Sequence, residues 1–512
     1  MSHGVVDEKH KLGFVVNDNF QGGEVTISRL MTLGFEQEIG ALASGEEGVD
    51  SIIHCPTLRD ELQARESPFI SHNYFGGGFV SDEDRVCLQS IKFAGERSAG
   101  RRSHTNLAAL SLRTAAKGRR ISEDTQPLEG YLMLPDHAMR SGPRETIYHN
   151  PKDTHIAICT VGGICPGVND VLRSLVHKAL DYGVPENNIL GIRYGFRGFY
   201  DREHKPVVLT RRMVEEIHLE GGTILGTSRA EPNVTEIVKR LDLWKVDILF
   251  VVGGRGGNAA AELIHRECRA KKVPCCVVAV PKSIDNDLLL IDKTFGFETA
   301  VEEAQKAILA AKVEASSAYK GIGLVKLMGR QSGFITVSAA LASGLVDAVL
   351  IPEVQFTLEG PMGLFVYLER IMEKKGHCVV AVAEGAGQDM IDAKVAEAQT
   401  DGVGRPRLRD IGTWLKSKFK QHFKEADIKY IEPTCMIRSI PTTAGDRVYC
   451  KMLAHGAVHG AFAGFTGITV GLVNTHYCYL PIPLIIQAPR KVDPHGELWN
   501  RLRSSIGQPN FE

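Results

Sequence analysis

Short runs of apolar and β-branched residues alternate with amphipathic segments along the chain from about residue 155 onward. Runs of this kind predict buried β-strands, and apolar positions spaced three or four residues apart predict helices between them. Strands that alternate with helices are typical of an α/β fold with mostly parallel sheets, and their number predicts two lobes. The strands are predicted at 156–160, 189–192, 248–252, 276–280, 322–327, 348–351, 379–383 and 468–472.

The first 145 residues have a weaker periodicity and predict an N-terminal extension. Within it, residues 92–120 contain eight lysines or arginines against the single acid Glu96, which favours a solvated linker over a binding surface. Ser122 follows the basic pair Arg119 and Arg120 at the spacing of a basic-directed phosphorylation site. We therefore hypothesise that phosphorylation of Ser122 acts as a switch by adding negative charge to this segment.

The overall composition excludes several classes of protein. Of 512 residues, 60 are basic and 61 are acidic, so the net charge of -1 gives no indication of a nucleic-acid or membrane partner. The 11 cysteines have no paired spacing and indicate reduced thiols in a cytoplasmic protein. The uncharged segment 452–489 contains several glycines and prolines, and we expect it to form core rather than a membrane span.

Three glycine-containing loops follow strand-like segments, which is where ligands bind in parallel α/β sheets. In the first loop, Gly162 lies where a strand turns into a helix whose free N–H groups can bind an anion. In the second, Ser228 and Arg229 end the segment ILGTSR, although a lone arginine is more often part of a surface ion pair.

The third loop interrupts an apolar strand with the glycine-arginine segment, residues 253–257, which is GGRGG. The chain contains no GxxxxGK[ST] motif, which excludes a P-loop. Gly254, Gly256 and Ala259 fit a loose dinucleotide-binding pattern, but that fold needs a carboxylate after the next strand to hold a ribose. The next strand ends in Pro281 and Lys282 instead.

The acid loop, residues 282–287, carries the most specific chemistry. Asp285 and Asp287 follow a predicted strand, so one carboxylate can accept a proton while the other positions a metal-bound water or a helix terminus. Lys282 and Ser283 add a cation and a hydroxyl, which an Asx-rich turn alone does not explain. Further strands are followed by charged residues suited to a phosphorylated sugar, namely Arg330, Glu384, Lys429 and Arg438.

With these loops the sequence resembles the phosphofructokinase family, and more closely its long ATP-dependent branch of plants and trypanosomatids. The resemblance rests on FVSDEDRV, GGICPGVNDV, YGFRGFY, GGTILGTSR, PKSIDNDLLLIDKTFGFETAVEEAQKAI, VKLMGRQSGF, AEGAGQ, KYIEPTCMIR, AVHGAFAGFTGITVG and IGQPNF. It implies two Rossmann-like lobes with mostly parallel sheets. The nucleotide-binding lobe then comprises 146–315 and 432–485, and the sugar-phosphate-binding lobe comprises 316–431 and 486–512.

The resemblance implies transfer of the γ-phosphoryl group of ATP, bound with Mg²⁺, to the 1-hydroxyl of fructose 6-phosphate in glycolysis. It also implies an allosteric, cytoplasmic homo- or hetero-oligomer, most simply a tetramer. Asp285 matches the family's proton acceptor, and Arg330 matches the cation that stabilises the moving phosphoryl group. Asp287 is the third residue to which the resemblance gives a catalytic role. The implied sugar-phosphate contacts are Ser283, Ile284, Asp285, Met328, Gly329, Arg330, Glu384, Lys429, Cys435 and Arg438. The implied nucleotide contacts are Gly162, Ser228, Arg229, Gly253, Gly254, Arg255, Gly256, Gly257 and Lys282.

The chain departs from the family pattern GGDGT at the glycine-arginine segment. Arg255 replaces the metal-binding aspartate, and a guanidinium cannot coordinate Mg²⁺, so no metal ligand is assigned. Gly257 lacks the usual hydroxyl, and Ala260 adds a methyl group where the family has glycine. Gly256 is the residue that goes with ATP as donor, and Cys435 replaces a tyrosine or histidine near the sugar phosphate.

These departures leave more than one interpretation of function open. In the first interpretation the chain is a working kinase. Mg²⁺ is then held by ATP itself, and Arg255 replaces part of the charge of the metal. Alternatively, the chain is a weak or silent regulatory subunit that still binds fructose 6-phosphate. A diphosphate-dependent phosphofructokinase is a second alternative. The presence of Asp285, Asp287 and Arg330 favours the working kinase.

Overall fold

The computed structural model describes residues 43–44, 52–70, 78–88, 137–229, 231–391 and 408–511. The predicted basic linker at 92–120 and Ser122 lie outside the described residues. Within the described residues, 17 strands form a larger sheet of 11 strands, a smaller sheet of 4 strands and a separate pair.

All eight predicted strands are present, and their ends lie within one residue of the predicted ends. In chain order the strands are β1 (Ala43–Ser44), β2 (Ile52–Ile53), β3 (Arg65–Glu66), β4 (Arg85–Cys87), β5 (His137–Arg140), β6 (Thr146–Ile147), β7 (Ile156–Thr160), β8 (Ile189–Ile192), β9 (Val207–Val208), β10 (Ile248–Gly253), β11 (Cys276–Pro281), β12 (Ile322–Leu327), β13 (Ala348–Leu350), β14 (Cys378–Ala383), β15 (Ile428–Ile431), β16 (Ile468–Val473) and β17 (His476–Pro481).

The two sheets differ in strand direction. The larger sheet has the order β1-β2-β5-β17-β16-β11-β10-β7-β8-β9, with β4 paired to β5. Its central strands β16, β11, β10, β7 and β8 are parallel, and β17 pairs antiparallel with both β16 and β5. The smaller sheet, β13-β14-β12-β15, is wholly parallel. The predicted α/β class with two mostly parallel sheets is confirmed. Strands β2 and β4 join through β5, so the described part of the first 145 residues extends the larger sheet.

Helices cover the faces of both sheets, as crossovers between parallel strands require. In chain order they are α1 (Val168–Tyr182), α2 (Arg211–Val214), α3 (Val234–Leu243), α4 (Arg255–Ala270), α5 (Phe297–Ser317), α6 (Phe334–Ser343), α7 (Leu364–Lys375), α8 (Ile411–His422), α9 (Thr434–Arg438), α10 (Ala444–Phe462), α11 (Ile482–Ile486) and α12 (Glu497–Ile506). No helix in these ranges is long and apolar enough to cross a membrane.

The core lies on both faces of the larger sheet. Along β10 the side chain of Phe250 packs into one cluster, and its neighbours Leu249 and Val251 pack into the cluster on the opposite face. Residues alternate between faces in a strand, so a strand covered on both sides is apolar throughout. Each large apolar side chain buried in this way contributes about 1.5–3 kcal/mol. The uncharged segment 452–489 forms part of this core, as expected.

The larger and smaller sheets meet through the loops that follow β11 and β12. The Ser332 hydroxyl, after β12, donates a hydrogen bond of 3.1 Å to the backbone carbonyl of Asp285, after β11. Ile284 packs against buried residues that belong to the cores of both sheets. The carboxyl ends of these two strands therefore lie side by side, which brings the predicted site residues of both halves together.

Candidate functional site

The glycine-arginine segment is part strand and part helix. Gly253 ends β10, Gly254 is the N-cap of α4, and Arg255 is the first residue of that helix. A Cβ added at either Gly253 or Gly257 would lie 2.6 Å from Cγ2 of Val161, which is too close for a real contact. Val161 thus occupies the space into which a side chain at Gly257 would extend. The sequence did not indicate this role of Val161.

Asn258 fixes the turn from β10 into α4. Its Nδ2 donates to the carbonyls of Gly253 at 2.8 Å and Gly254 at 2.9 Å, and its side chain is fully buried. Asparagine is a poor helix former, so its presence ahead of an alanine run was the available sequence signal. Ala260, one of the departures from the family, is also fully buried and packs in the core beneath the helix.

The loop after β7 approaches the segment that holds Ser228 and Arg229. Gly162, at φ 88°, donates its N–H to the Ser228 carbonyl at 2.9 Å, and its own carbonyl accepts from Thr227 Oγ1 at 2.7 Å. A Cβ on Gly163 would lie 3.1 Å from a terminal nitrogen of Arg229. The Ser228 hydroxyl is buried and has no hydrogen-bond partner among the described residues. These two predicted loops therefore form one surface.

Lys282 connects this surface to the glycine-arginine segment. Its N–H donates to the Gly253 carbonyl at 2.9 Å, and its ammonium donates to the Gly163 carbonyl. Burial lowers the pKa of Lys282, and the positive charge of Arg229 lowers it further. Asp287 opposes this shift, so the lysine lies between the cationic loops and the acid loop.

The acid loop has a fixed backbone conformation. Ser283 Oγ donates to the Asp287 carboxylate, and the Asp287 carbonyl accepts from Arg490 N–H at 2.8 Å. Asn286 adopts a positive φ of 56°, and its Oδ1 accepts from Thr294 N–H at 2.9 Å. Asparagine tolerates this left-handed conformation better than most residues, which explains its position between the two acids.

Asp285 has the properties of a proton acceptor. Its Oδ1 is buried and has no hydrogen-bond partner in the described part of the chain. Burial raises the pKa of its carboxyl, the negative charges of Asp287 and Glu384 raise it further, and the backbone of Arg330 opposes the rise. A carboxyl group whose pKa is moved towards neutral pH suits general-base chemistry.

Arg330 and Glu384 follow neighbouring strands of the smaller sheet. Met328 is buried and Gly329 has φ 133°, where a Cβ would lie 2.4 Å from the Ser332 carbonyl oxygen. The Gly329 carbonyl accepts from the N–H of Gly385 at 3.1 Å, which ties the two loops together. Burial raises the pKa of Glu384, and the charge of Arg330 opposes that rise. Arg330 therefore lies within electrostatic reach of both Glu384 and the acid loop.

The segment after β15 places one predicted arginine at the site and leaves one predicted lysine outside it. The positive charge of Arg438 lowers the pKa of Asp285, and its Nε is buried without a hydrogen-bond partner among the described residues. Cys435 is exposed, 4.0 Å from a terminal nitrogen of Arg438. Lys429 lies at the second position of β15, and its ammonium pairs with Asp427 at 2.9 Å. The structure does not bring Lys429 together with the other site residues.

Glu353 is a residue near the site that the sequence did not indicate. Its Oε1 accepts from Gly333 N–H at 2.9 Å and from Val492 N–H at 2.8 Å. Gly333 ends the arginine loop, residues 328–333, and Val492 follows Arg490, which contacts the acid loop. Glu353 thus links the backbone at the end of the arginine loop to the segment that contacts the acid loop.

The glycine-arginine segment does not fit a protein-bound Mg²⁺. This ion prefers hard oxygen ligands, and the five side chains here are four glycines and an arginine. Among the described residues, the one trio of acidic or histidine side chains close enough to share an ion is Asp201, Glu203 and His204. That trio follows β8 on another loop, where Asp201 already pairs with His204 Nδ1 at 3.1 Å.

Comparison with known proteins identifies the family to which the chain is similar. The family model for phosphofructokinase matches residues 155–461 of the chain. The chain is 47% identical over 479 residues to ATP-dependent 6-phosphofructokinase 5, chloroplastic, of Arabidopsis thaliana, and the match covers 90% of this chain and 84% of that protein. It is 41% identical over 369 residues to the ATP-dependent 6-phosphofructokinase of Trypanosoma brucei brucei, covering 70% of this chain and 74% of that protein.

A solved structure shows the same fold at lower identity. The pyrophosphate-dependent phosphofructokinase from Marinobacter aquaeolei superimposes with a TM-score of 0.57 at 17% identity. The match covers 69% of this chain and 91% of that chain. At this identity the likeness concerns the fold alone.

Proposed function

Because this chain belongs to the phosphofructokinase family, we propose that it transfers the γ-phosphoryl group of ATP to the 1-hydroxyl of fructose 6-phosphate. The observation that carries the proposal is the juxtaposition of Asp285 and Arg330. They lie on loops from different sheets, and the Arg330 backbone contributes to the electrostatics of the Asp285 carboxyl. In this proposal the carboxylate of Asp285 acts as the base, and the guanidinium of Arg330, on the neighbouring loop, acts as the cation for the transferred phosphoryl group.

The proposed reaction follows from these positions. The Asp285 carboxylate removes the proton of the sugar 1-hydroxyl as its oxygen bonds to the γ-phosphorus, and the bond from phosphorus to the bridging oxygen of ADP breaks. Arg330 stabilises the negative charge on the moving phosphoryl oxygens. Glu384 accepts from sugar hydroxyls, and Arg438 binds the 6-phosphate as a cation–anion pair. Products are fructose 1,6-bisphosphate and ADP, the reaction of glycolysis.

The assignment of lobes belongs to the same proposal. The larger sheet carries the loops of Gly162, Ser228 and Gly253, which supports a nucleotide-binding lobe at 146–315 and 432–485. The smaller sheet carries Arg330 and Glu384, which supports a sugar-phosphate lobe at 316–431 and 486–512. In this proposal Mg²⁺ arrives with ATP, since the glycine-arginine segment offers it no carboxylate.

Steady-state assays of the purified full-length chain test the proposal. With fructose 6-phosphate as acceptor, we expect turnover with ATP and much less with inorganic diphosphate, because Gly256 leaves room for the larger donor. Faster turnover with diphosphate than with ATP would instead identify a diphosphate-dependent enzyme. The readout is the amount of fructose 1,6-bisphosphate formed with each donor.

Arg255 supports a second candidate, a catalytically silent regulatory subunit that still binds fructose 6-phosphate. This candidate predicts no turnover with either donor, but a calorimetric signal on addition of fructose 6-phosphate. It also predicts that turnover appears when the family's loop is restored. Restoration requires Val161→Ala together with Arg255→Asp and Gly257→Thr, because Val161 Cγ2 lies 2.6 Å from the position of a Cβ at residue 257.

Assembly and location are further parts of the proposal. Leu309 and Val313 on α5 are 53% and 55% exposed, and Val448 on α10 is 63% exposed, which supports association with other subunits in a homo- or hetero-tetramer. Light scattering at assay concentration tests this, and a monomer would contradict it.

The 11 free cysteines support a cytoplasmic location for the protein. Fluorescence imaging of a tagged chain tests this against a plastid location, which the name of one relative states for that protein.

A further inference from the structure

One carboxylate oxygen of Glu353 holds two stretches of backbone that are far apart along the chain. Oε1 accepts from the N–H of Gly333 at 2.9 Å and from the N–H of Val492 at 2.8 Å. Gly333 is the last residue of the arginine loop. Val492 belongs to the bracing segment, residues 490–492. Glu353 therefore fixes the distance between the arginine loop and the bracing segment.

The bracing segment in turn holds the acid loop. The N–H of Arg490 donates to the Asp287 carbonyl at 2.8 Å, and Nη1 of Arg490 donates to the Asp292 carbonyl at 2.7 Å. Nδ2 of Asn286, inside the acid loop, donates to that same Asp292 carbonyl at 3.3 Å. A continuous set of hydrogen bonds thus runs from the arginine loop through Glu353 to the acid loop.

Packing adds a second connection between the bracing segment and the arginine loop. The guanidinium carbon of Arg490 lies 4.8 Å from the centre of the ring of Phe334, the first residue of α6 after the arginine loop. Val492 is buried in the same hydrophobic cluster as Phe334. A cation over an aromatic ring is attracted to its face, so this contact supports the same arrangement of the two loops.

The surroundings of Glu353 leave little freedom and are costly for a carboxylate. A Cβ added at Gly333 would lie 2.4 Å from Cγ2 of Ile351 and 3.1 Å from Oε2 of Glu353. Oε2 is shielded from solvent and has no hydrogen-bond partner in the described ranges. Because a shielded carboxylate oxygen without a partner lowers stability, this position indicates a role other than stabilising the fold.

We propose that Glu353 is a positioning residue for phosphoryl transfer, which keeps the arginine loop and the acid loop at the separation that lets Arg330 and Asp285 act on one phosphoryl group. This inference rests on the proposed function, because it takes Asp285 as the base and Arg330 as the cation. Glu353 acts through the backbone and the bracing segment. Catalytic groups need accurate placement, since a misplacement of about 1 Å lowers a rate by about 100-fold.

Steady-state kinetics of the full-length protein with ATP and fructose 6-phosphate test this role. Glu353→Ala should lower kcat by about 10- to 100-fold. The KM values for both substrates should stay within about 3-fold of the wild type, because the groups that bind the ground state remain. Glu353→Gln should restore kcat to within about 3-fold of the wild type, because the amide oxygen can accept from both N–H groups.

A matched control lies at the other end of the same strand. Asp347 precedes β13 and Glu353 follows it, and Asp347 is also a buried carboxylate that accepts a backbone N–H, that of Val379 at 2.9 Å. Asp347→Ala should lower the stability of the protein and leave kcat unchanged. Urea denaturation and circular dichroism show whether each variant is folded under the assay conditions.

A double-mutant cycle with Arg330 separates positioning from a general loss of structure. If Glu353 serves to place the guanidinium of Arg330, its removal matters only while that guanidinium is present. Glu353→Ala should therefore lower kcat by at most about 3-fold in the background Arg330→Ala. A merely structural role would lower kcat by the same factor in both backgrounds.

A milder variant tests the same brace if Glu353→Ala does not fold. Arg490→Met keeps the backbone hydrogen bond to Asp287 and removes the side-chain contacts with Asp292 and Phe334. It should lower kcat by about 3- to 10-fold without a matching change in KM. An unchanged kcat in this variant would contradict the role of the brace.

The outcomes distinguish this inference from the proposed function. If the wild type phosphorylates fructose 6-phosphate and folded Glu353→Ala has the same kcat, the inference is wrong and the proposed function stands. A kcat of Glu353→Gln as low as that of Glu353→Ala, or an equal loss in the Arg330→Ala background, would also show the inference to be wrong. If folded wild-type protein transfers no phosphoryl group, both are wrong.

Discussion

Asp285 owes its raised pKa to burial and to the charges of two neighbouring carboxylates, Asp287 and Glu384. In the proposed reaction Asp285 must be ionised to accept a proton, so activity should increase as pH rises through its pKa. The carboxylate of Asp287 accepts a hydrogen bond from the Ser283 hydroxyl, which fixes its position in the acid loop. The surroundings of one carboxyl therefore determine the acidic limb of the pH profile.

Replacing Asp287 with asparagine should move that limb to lower pH. Asp287→Asn removes a negative charge beside Asp285 and so lowers the pKa of Asp285, while the amide oxygen can still accept from Ser283. The measurement is kcat/KM against pH for the variant and the wild type. Glu497→Gln on the surface of α12 serves as the control. An acidic limb that stays in place or moves to higher pH would contradict this account of Asp285.

The packing of Val161 against Gly257 gives a second prediction at the residue scale. Gly257→Ala places a Cβ 2.6 Å from Val161 Cγ2, and we expect it to lower the free energy of unfolding by about 1–3 kcal/mol. In the background Val161→Ala the same substitution should cost less, with a coupling of about 1 kcal/mol. Urea denaturation of the four proteins in this double-mutant cycle measures the coupling. Simple additivity would show that Val161 does not fill this space.

The start of α6 depends on a single buried carboxylate. Glu353 accepts from the N–H of Gly333, the N-cap residue, and from that of Val492. Burial raises the pKa of Glu353 to about 7, and these two hydrogen bonds oppose the rise. Its Oε2 is shielded from solvent and has no hydrogen-bond partner among the described residues. The N-terminus of α6 is thus held by a carboxyl group that is more easily protonated in the folded protein than in the unfolded chain.

Glu353→Gln should therefore change how stability depends on pH. Because the folded-state pKa is about 7 and the ordinary value is 4.5, the wild type loses stability relative to the variant as pH rises between these values. The difference should reach on the order of 2 kcal/mol by neutral pH. Thermal unfolding of both proteins from pH 4 to 8 measures it. A constant difference across this range would show that Glu353 does not titrate as described.

Among the strands and helices, the sequence predicts the central strands well because they are continuous apolar runs. It does not predict β5, β15 or β17, in which polar and aromatic residues interrupt the apolar pattern. The glycine-arginine segment was expected to be a loop, yet its last three residues form the first turn of α4. That boundary depends on the side chain of Asn258, which reaches back to the strand end.

The whole molecule brings the two sheets together, and this explains which site residues could be anticipated. Asp285, Arg330 and Glu384 follow buried strands, so the rule that ligands bind at carboxyl ends of strands was sufficient to find them. Glu353 and Val161 act through contacts with residues far along the chain, which no local pattern reveals. Lys429 lies at the second position of its strand and not beyond the carboxyl end, so the same rule did not apply to it.

The distribution of thiols across the whole molecule gives a further prediction. All 11 cysteines are free, and Cys435 is the exposed one, beside Arg438 in the proposed sugar-phosphate site. A thiol reagent should therefore modify Cys435 first, and fructose 6-phosphate should slow this modification. Mass spectrometry of partially labelled protein identifies the site, with Cys435→Ser as control. Faster labelling of another cysteine, or no protection by the sugar, would contradict the placement of α9.

The most direct test of the account is the transfer of labelled phosphate from [γ-³²P]ATP to fructose 6-phosphate by the purified chain. We expect the wild type to form labelled fructose 1,6-bisphosphate. The rate of transfer by Asp285→Asn should be lower by a factor of about 100 or more, because the amide cannot accept the proton. The absence of labelled product from folded wild-type protein that binds fructose 6-phosphate, or equal transfer by Asp285→Asn, would contradict the proposed function.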